Sequence, residues 1–188
     1  EQRRTKGSWN TAFFSEGESG SANGRGWYKS TMSKDKWAHY NPVRIRFGRG
    51  CRSSLTEVLE EQRVLIMCSP RGRKQLESDS WLGQAIRSIK SLIWMDSVET
   101  NPDLNRLQDL INDLQGLHLD CVVAFGGGSA IESAKAFSLA LSPPTRHHSL
   151  RELLGVVASL PMGTALPLYA IPTTAGTGSE VTPYATVW

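Results

Sequence analysis

The chain contains no apolar run of membrane-spanning length, and its first residues lack the uninterrupted apolar core of a signal peptide. Cysteine is scarce. Cys51, Cys68 and Cys121 are an odd number without metal-ligand spacing, which argues against a disulfide framework and a cysteine-rich zinc module. Two of them sit in apolar, strand-like runs, and all three read as reduced thiols of a cytoplasmic protein. Histidine is equally sparse. His147 and His148 are adjacent, not three or four apart, so they read as surface residues; His39 and His118 stand alone. No Ser-His-Asp or Cys-His arrangement stands out. The main body also lacks surplus charge. The formal net charge is +3, but residues 1–40 hold seven Lys/Arg against four Asp/Glu, and the remainder carries fourteen of each. Neither a nucleic-acid nor a membrane partner is indicated.

What is present fits one substantial core with an appendage: 188 residues with a hydrophobic fraction of 39% are enough to build it. Residues 1–31 are rich in Gly, Ser and polar residues without sustained periodicity, and are expected to be a disordered tail or leader outside the fold. Met32 would serve as a natural start, so the domain is read as 32–188. From Asn41 the elements alternate. Strands are expected at Val43–Phe47, Val64–Cys68, within Ser91–Val98 and at Asp120–Phe125. Helices are expected at Ser54–Gln62, Gln75–Lys90, from Pro102 through Leu114, and from Ser129 to about Leu141, where Pro143-Pro144 follows. A short helix around Leu150–Val156 is a further reading. Such alternation implies a mostly parallel sheet covered by helices on both faces.

Two loops carry the chemistry. In the first, the apolar run Cys121-Val122-Val123-Ala124-Phe125 stops at Gly126-Gly127-Gly128, and a helix pattern starts at once with Ser129. Glycines let a ligand approach the backbone, and a helix N-terminus offers unpaired N–H groups and partial positive charge, so the segment suits a phosphate. It also suits a tight turn with no ligand. Ser129 and Glu132 have capping-box spacing. The second loop, Thr173-Thr174-Ala175-Gly176-Thr177-Gly178-Ser179-Glu180-Val181-Thr182, again follows an apolar strand candidate, Leu168–Ile171. Its hydroxyls and amides suit phosphate and ribose, or simply the turns of a polar surface loop. Two such loops at strand ends are what a dinucleotide site needs.

The segments GGGSAIESAK and IPTTAGTGSEVTPYATVW resemble the signature segments of the iron-containing (group III) alcohol dehydrogenases, and the likeness extends over roughly Asn41 to Trp188. Within that family the ending looks most like the reductases of small phosphonate aldehydes such as phosphonoacetaldehyde. The resemblance implies a Rossmann-like three-layer α/β domain that binds NADP or NAD. Cofactor contacts are expected from Gly126, Gly127, Gly128, Ser129, Thr173, Thr174, Thr177 and Ser69. It further implies a homodimeric oxidoreductase acting on a small aldehyde or alcohol, with Fe2+ or another divalent metal. That metal would be held by one aspartate and three histidines on a helical domain following Trp188, so no metal ligand and no catalytic residue is assigned here. Glu132 and Glu180 are expected to cap and anchor; Lys135 either leans toward the site or is solvated. The alternative is a catalytically inactive nucleotide-binding fragment.

The position after the second strand bears on cofactor choice. Members of this family often carry an acid there, which would accept hydrogen bonds from the adenosine ribose. Ser69 occupies it here, followed by Arg71 and Arg73. Without the acid, a ribose 2′-phosphate meets no repulsion, and Arg71 and Arg73 would tolerate or bind it or else form a solvated basic turn. NADP is favoured over NAD.

Overall fold

The structure is a computed structural model that describes residues 5–8, 43–80, 82–156, 160, 161, 163–182 and 184–188. Its centre is four parallel strands, and each strand sequence explains why it is there. β2 (Arg63–Met67) and β4 (Cys121–Gly126) are short, apolar and buried on both faces, as the interior strands of a parallel sheet must be. β3 (Ser91–Met95) and β5 (Leu168–Pro172) flank them, giving the order β3-β2-β4-β5. Register runs Leu65 to Ile93 across β2 and β3, Leu65 to Val122 across β2 and β4, and Val122 to Leu168 across β4 and β5.

Alternation along the strands feeds two cores. Val64, Ile66, Cys68, Cys121, Val123 and Phe125 face one layer, with Leu59 of α1 (Ser54–Leu59) and Leu76 of α2 (Pro70–Ser78). Ile86 of α3 (Leu82–Ser88) packs at its margin. Leu65, Met67, Val122, Ala124 and Leu168 face the other layer, which α4 (Leu104–Leu114), α5 (Gly128–Ala140) and α6 (Leu150–Val156) cover. α5 is buried along most of its length because α6 and β6 (Tyr184–Val187) pack around it. Phe137 at its centre is fully buried.

The strand order fixes where a ligand can enter. β2 leads outward to β3, the chain crosses back through α4 to β4, and β4 leads outward to β5. The connections therefore diverge between β2 and β4, the kind of switch point at which α/β sheets hold ligands. Ser69 follows one strand and the glycine triplet follows the other.

Several expectations are corrected. Val43–Phe47 forms no strand: Ile45 and Phe47 project outward, Phe47 at 99% exposure. The helix expected over Gln75–Lys90 is two helices, because α2 ends at Ser78 with Asp79 in extended backbone. Pro102 precedes α4 instead of opening it, and Asp103 is the N-cap, its carboxylate accepting from the Arg106 N–H at 2.9 Å. β6 is an element the sequence pattern did not announce. Thr5–Ser8 (β1), inside the segment expected to lie outside the fold, pairs antiparallel with it. The rest of residues 1–31, and His39, fall outside the described residues.

Candidate functional site

The Gly126–Ser129 turn begins where β4 ends. Gly126 carries φ 159, and a Cβ there would lie 2.7 Å from the Ala130 Cβ, so no larger residue fits without displacement. Gly127 is the N-cap of α5 and makes no side-chain cap; its carbonyl accepts from the Ile131 N–H at 3.2 Å. The amides of Gly128, Ser129 and Ala130 therefore begin the helix without intrahelical acceptors. The helix dipole adds partial positive charge at the same point.

The second loop closes over this turn. The Thr173 N–H donates to the Gly126 carbonyl at 2.9 Å, extending the β4–β5 ladder into the loops. A Cβ on Gly127 would lie 2.9 Å from Thr174 Oγ1. One on Gly128 would lie 3.2 Å from Ser179 Oγ and 3.5 Å from Thr177. The glycines thus make room for the hydroxyl loop. Thr173, Thr174 and Thr177 are exposed at this mouth, and Gly126–Ser129 are half-buried. All seven of these expected residues come together in one place.

Ser69 stands apart from them, just beyond the end of β2. It is the N-cap of α2, its Oγ accepting from the Gly72 N–H at 3.1 Å, with Pro70 in the first turn. The start of α2 approaches β4, since a Cβ on Gly72 would lie 3.3 Å from Phe125. Arg71 is exposed beside it. Arg73 is not available in the way the sequence suggested. Its guanidinium pairs with Asp96 at 2.9 Å and Glu77 at 3.0 Å, and lies 4.8 Å above the Trp94 ring.

The capping box expected at Ser129 and Glu132 does not form. Ser129 lies inside the first turn, where its Oγ accepts from the Asn101 N–H at 3.4 Å. Asn101, in left-handed backbone at φ 55, is thereby brought to the glycine turn; no pattern had singled it out for the site. Glu132 reaches forward instead, accepting from Ser179 Oγ and from the Thr186 N–H, each at 3.3 Å. The capping box belongs to α6: the Ser149 N–H donates to the Glu152 carboxylate at 2.8 Å, and the Glu152 N–H returns to Ser149 Oγ. Bonds from the Ser149 N–H and hydroxyl hold the Glu152 carboxyl below the usual carboxylate range.

Lys135 is neither solvated nor directed at this site. It is 2% exposed, and its Nζ donates to the carbonyls of Thr182 and Tyr184. Burial pushes it down to about 8, against the opposing pull of Glu132 and Glu180. Cys68 and Cys121 are buried free thiols, raised by burial to about 11 and about 12, and so protonated and unreactive at neutral pH. His118, His147 and His148 are exposed. Among the described residues no group of three or more His, Cys, Asp or Glu is arranged to hold a metal ion. No helix of the described residues is long and apolar enough to cross a membrane.

This arrangement, a glycine turn and a hydroxyl-rich loop at the ends of adjacent parallel strands, has relatives. The phosphonoacetaldehyde reductase of Streptomyces viridochromogenes is 32% identical over 109 residues, covering 57% of this chain and 27% of the reductase. The iron-containing alcohol dehydrogenase of Thermotoga maritima superposes with a TM-score of 0.68 at 30% identity, covering 81% of this chain and 42% of that one. A sulfoacetaldehyde reductase from Bifidobacterium kashiwanohense, in complex with NAD+, shares the fold with a TM-score of 0.62 at 24% identity, over 81% of this chain and 43% of the reductase. The chain spans less than half the length of each of these relatives. The profile of the iron-containing alcohol dehydrogenases matches residues 42–188. The chain belongs to the iron-containing alcohol dehydrogenase family.

Proposed function

We propose that residues 43–188 are the NAD(P)-binding part of an oxidoreductase that interconverts a small aldehyde and its alcohol. One observation carries this reading: the glycine turn after β4 and the hydroxyl loop after β5 meet beside the β2/β4 switch point, around Gly127 and Thr174. The pyrophosphate lies over the amides of Gly128 and Ser129, where dipole and unpaired N–H groups favour an anion. Thr173, Thr174 and Thr177 supply neutral hydroxyl donors from the second loop. Ser69 and Arg71 face the adenosine ribose from beyond the end of β2, and the missing acid at Ser69 favours NADP. The nicotinamide supplies hydride chemistry; the protein supplies its orientation. The likeness to a phosphonoacetaldehyde reductase points to a small aldehyde as substrate. Among the described residues no group of His, Cys, Asp or Glu offers a ligand set for the family's metal.

The direct test is titration of the purified chain with NADPH and NADH, followed by cofactor fluorescence. Saturable binding of NADPH, tighter than NADH, is expected. No binding of either would end the cofactor reading.

A further inference from the structure

α5 carries two charged side chains that the dinucleotide site does not use directly. Lys135 Nζ donates to the Tyr184 carbonyl at 2.6 Å and the Thr182 carbonyl at 2.8 Å, with Thr182 Oγ1 at 3.4 Å. Each of these oxygens can accept an N–H bond of the ammonium. Glu132, one turn earlier, accepts from Ser179 Oγ through one carboxylate oxygen and from the Thr186 N–H through the other. Together the two side chains hold Ser179, Thr182, Tyr184 and Thr186, which is the passage from the hydroxyl loop into β6. Ser179 is also the residue that a Cβ on Gly128 would approach most closely. The loop before it, from Pro172 to Thr177, is exposed.

A buried ammonium is an expensive way to fill space, and an apolar side chain would do so at lower cost. What an ammonium adds is direction: it fixes backbone carbonyls at defined points. We propose that Lys135 and Glu132 are positioning residues for the dinucleotide, fixing Thr177 and Ser179 against Gly128 without themselves touching the cofactor. This rests on the cofactor reading above. Loss of either side chain releases the end of the hydroxyl loop while leaving the glycine turn in place.

The test is NADPH titration of the 188-residue chain carrying Lys135→Met, Glu132→Gln or Thr177→Ala, and of the doubles with Thr177→Ala, below the melting transition of each. Lys135→Met and Glu132→Gln are expected to weaken binding at least fivefold. Thr177→Ala should cost at least threefold less in either background than alone, because the loop is already displaced. Unchanged affinity in folded Lys135→Met, or strictly additive losses, would overturn the proposal. If Lys135→Met does not fold, Glu132→Gln and its cycle decide by the same criteria. Failure of the parent chain to bind NADPH or NADH overturns the cofactor reading instead.

Discussion

Gly127 and Thr174 stand so close that a single methyl on the glycine would lie 2.9 Å from the threonine hydroxyl. Real Cβ atoms do not tolerate that separation, so Gly127→Ala must turn the Thr174 hydroxyl away or shift the loop against the turn. Both form the proposed pyrophosphate site. NADPH affinity is expected to fall at least tenfold, about 1.4 kcal/mol. Gly128→Val should do the same, since its branched side chain meets Ser179 and Thr177. Fluorescence titration reads both, and parental affinity in either would refute the cradle.

The ionisable groups of the interior make a prediction about alkaline pH. Lys135 titrates at about 8 in the fold against an ordinary 10.5, so between those values the unfolded chain holds the extra proton. Stability from this group therefore rises with pH across that window, by up to about 1.4 kcal/mol per pH unit. Cys68 and Cys121 act oppositely. Their thiols stay protonated to about 11 and about 12 in the fold but ionise near 9 when exposed, so stability falls above pH 9. Two thiols outweigh one amine, and the midpoint in urea should climb from pH 8 to 9 and then decline. Lys135→Met should remove the climb and leave the decline. A climb that persists in the variant would show that Lys135 is not its source.

Much of this was legible in the sequence because parallel strands and glycine turns write themselves locally. β2 and β4 are buried on both faces, so their apolar runs are continuous, and α6 forms at Leu150–Val156, where the pattern of Thr145–Met162 allowed a short helix or a loop. What stayed hidden depends on partners far along the chain. β6 is recognisable only once β1 and α5 are in place. Ser129 and Glu132 have capping spacing, yet Glu132 finds donors 47 and 54 residues away, which local pattern cannot reveal. Arg73 looked available for a phosphate because its partner Asp96 lies just past the end of the next strand. Val43–Phe47 has strand composition, and composition is not pairing: Ile45 and Phe47 are left facing outward.

Cofactor preference is testable at Ser69 without disturbing the helix it caps. Aspartate is as good an N-cap as serine, so Ser69→Asp should leave α2 intact while placing a carboxylate beside the adenosine ribose. A 2′-phosphate would be repelled and a 2′-hydroxyl accepted. The ratio of NADPH to NADH affinity is expected to drop at least tenfold, with the melting temperature within a few degrees of the parent. An unchanged ratio would place the ribose elsewhere.

Reductase activity is the sharpest demand on these residues. Hydride transfer to an aldehyde needs its oxygen polarised as negative charge develops, and a bound metal ion supplies several kcal/mol of that stabilisation in enzymes that use one. The described residues bring no such ligand set together, and the buried amine they do contain points its protons at the carbonyls of Thr182 and Tyr184. The thiols of Cys68 and Cys121 are buried and protonated. Each 1.4 kcal/mol of such stabilisation is about tenfold in rate, so several kcal/mol are worth a few orders of magnitude. The 188-residue chain is therefore expected to bind NADPH yet show no steady oxidation of it with a small aldehyde, with or without added Fe2+ or Zn2+. The assay is loss of absorbance of the reduced nicotinamide under saturating cofactor. Sustained, aldehyde-dependent turnover that survives repurification would require a polarising group among these residues.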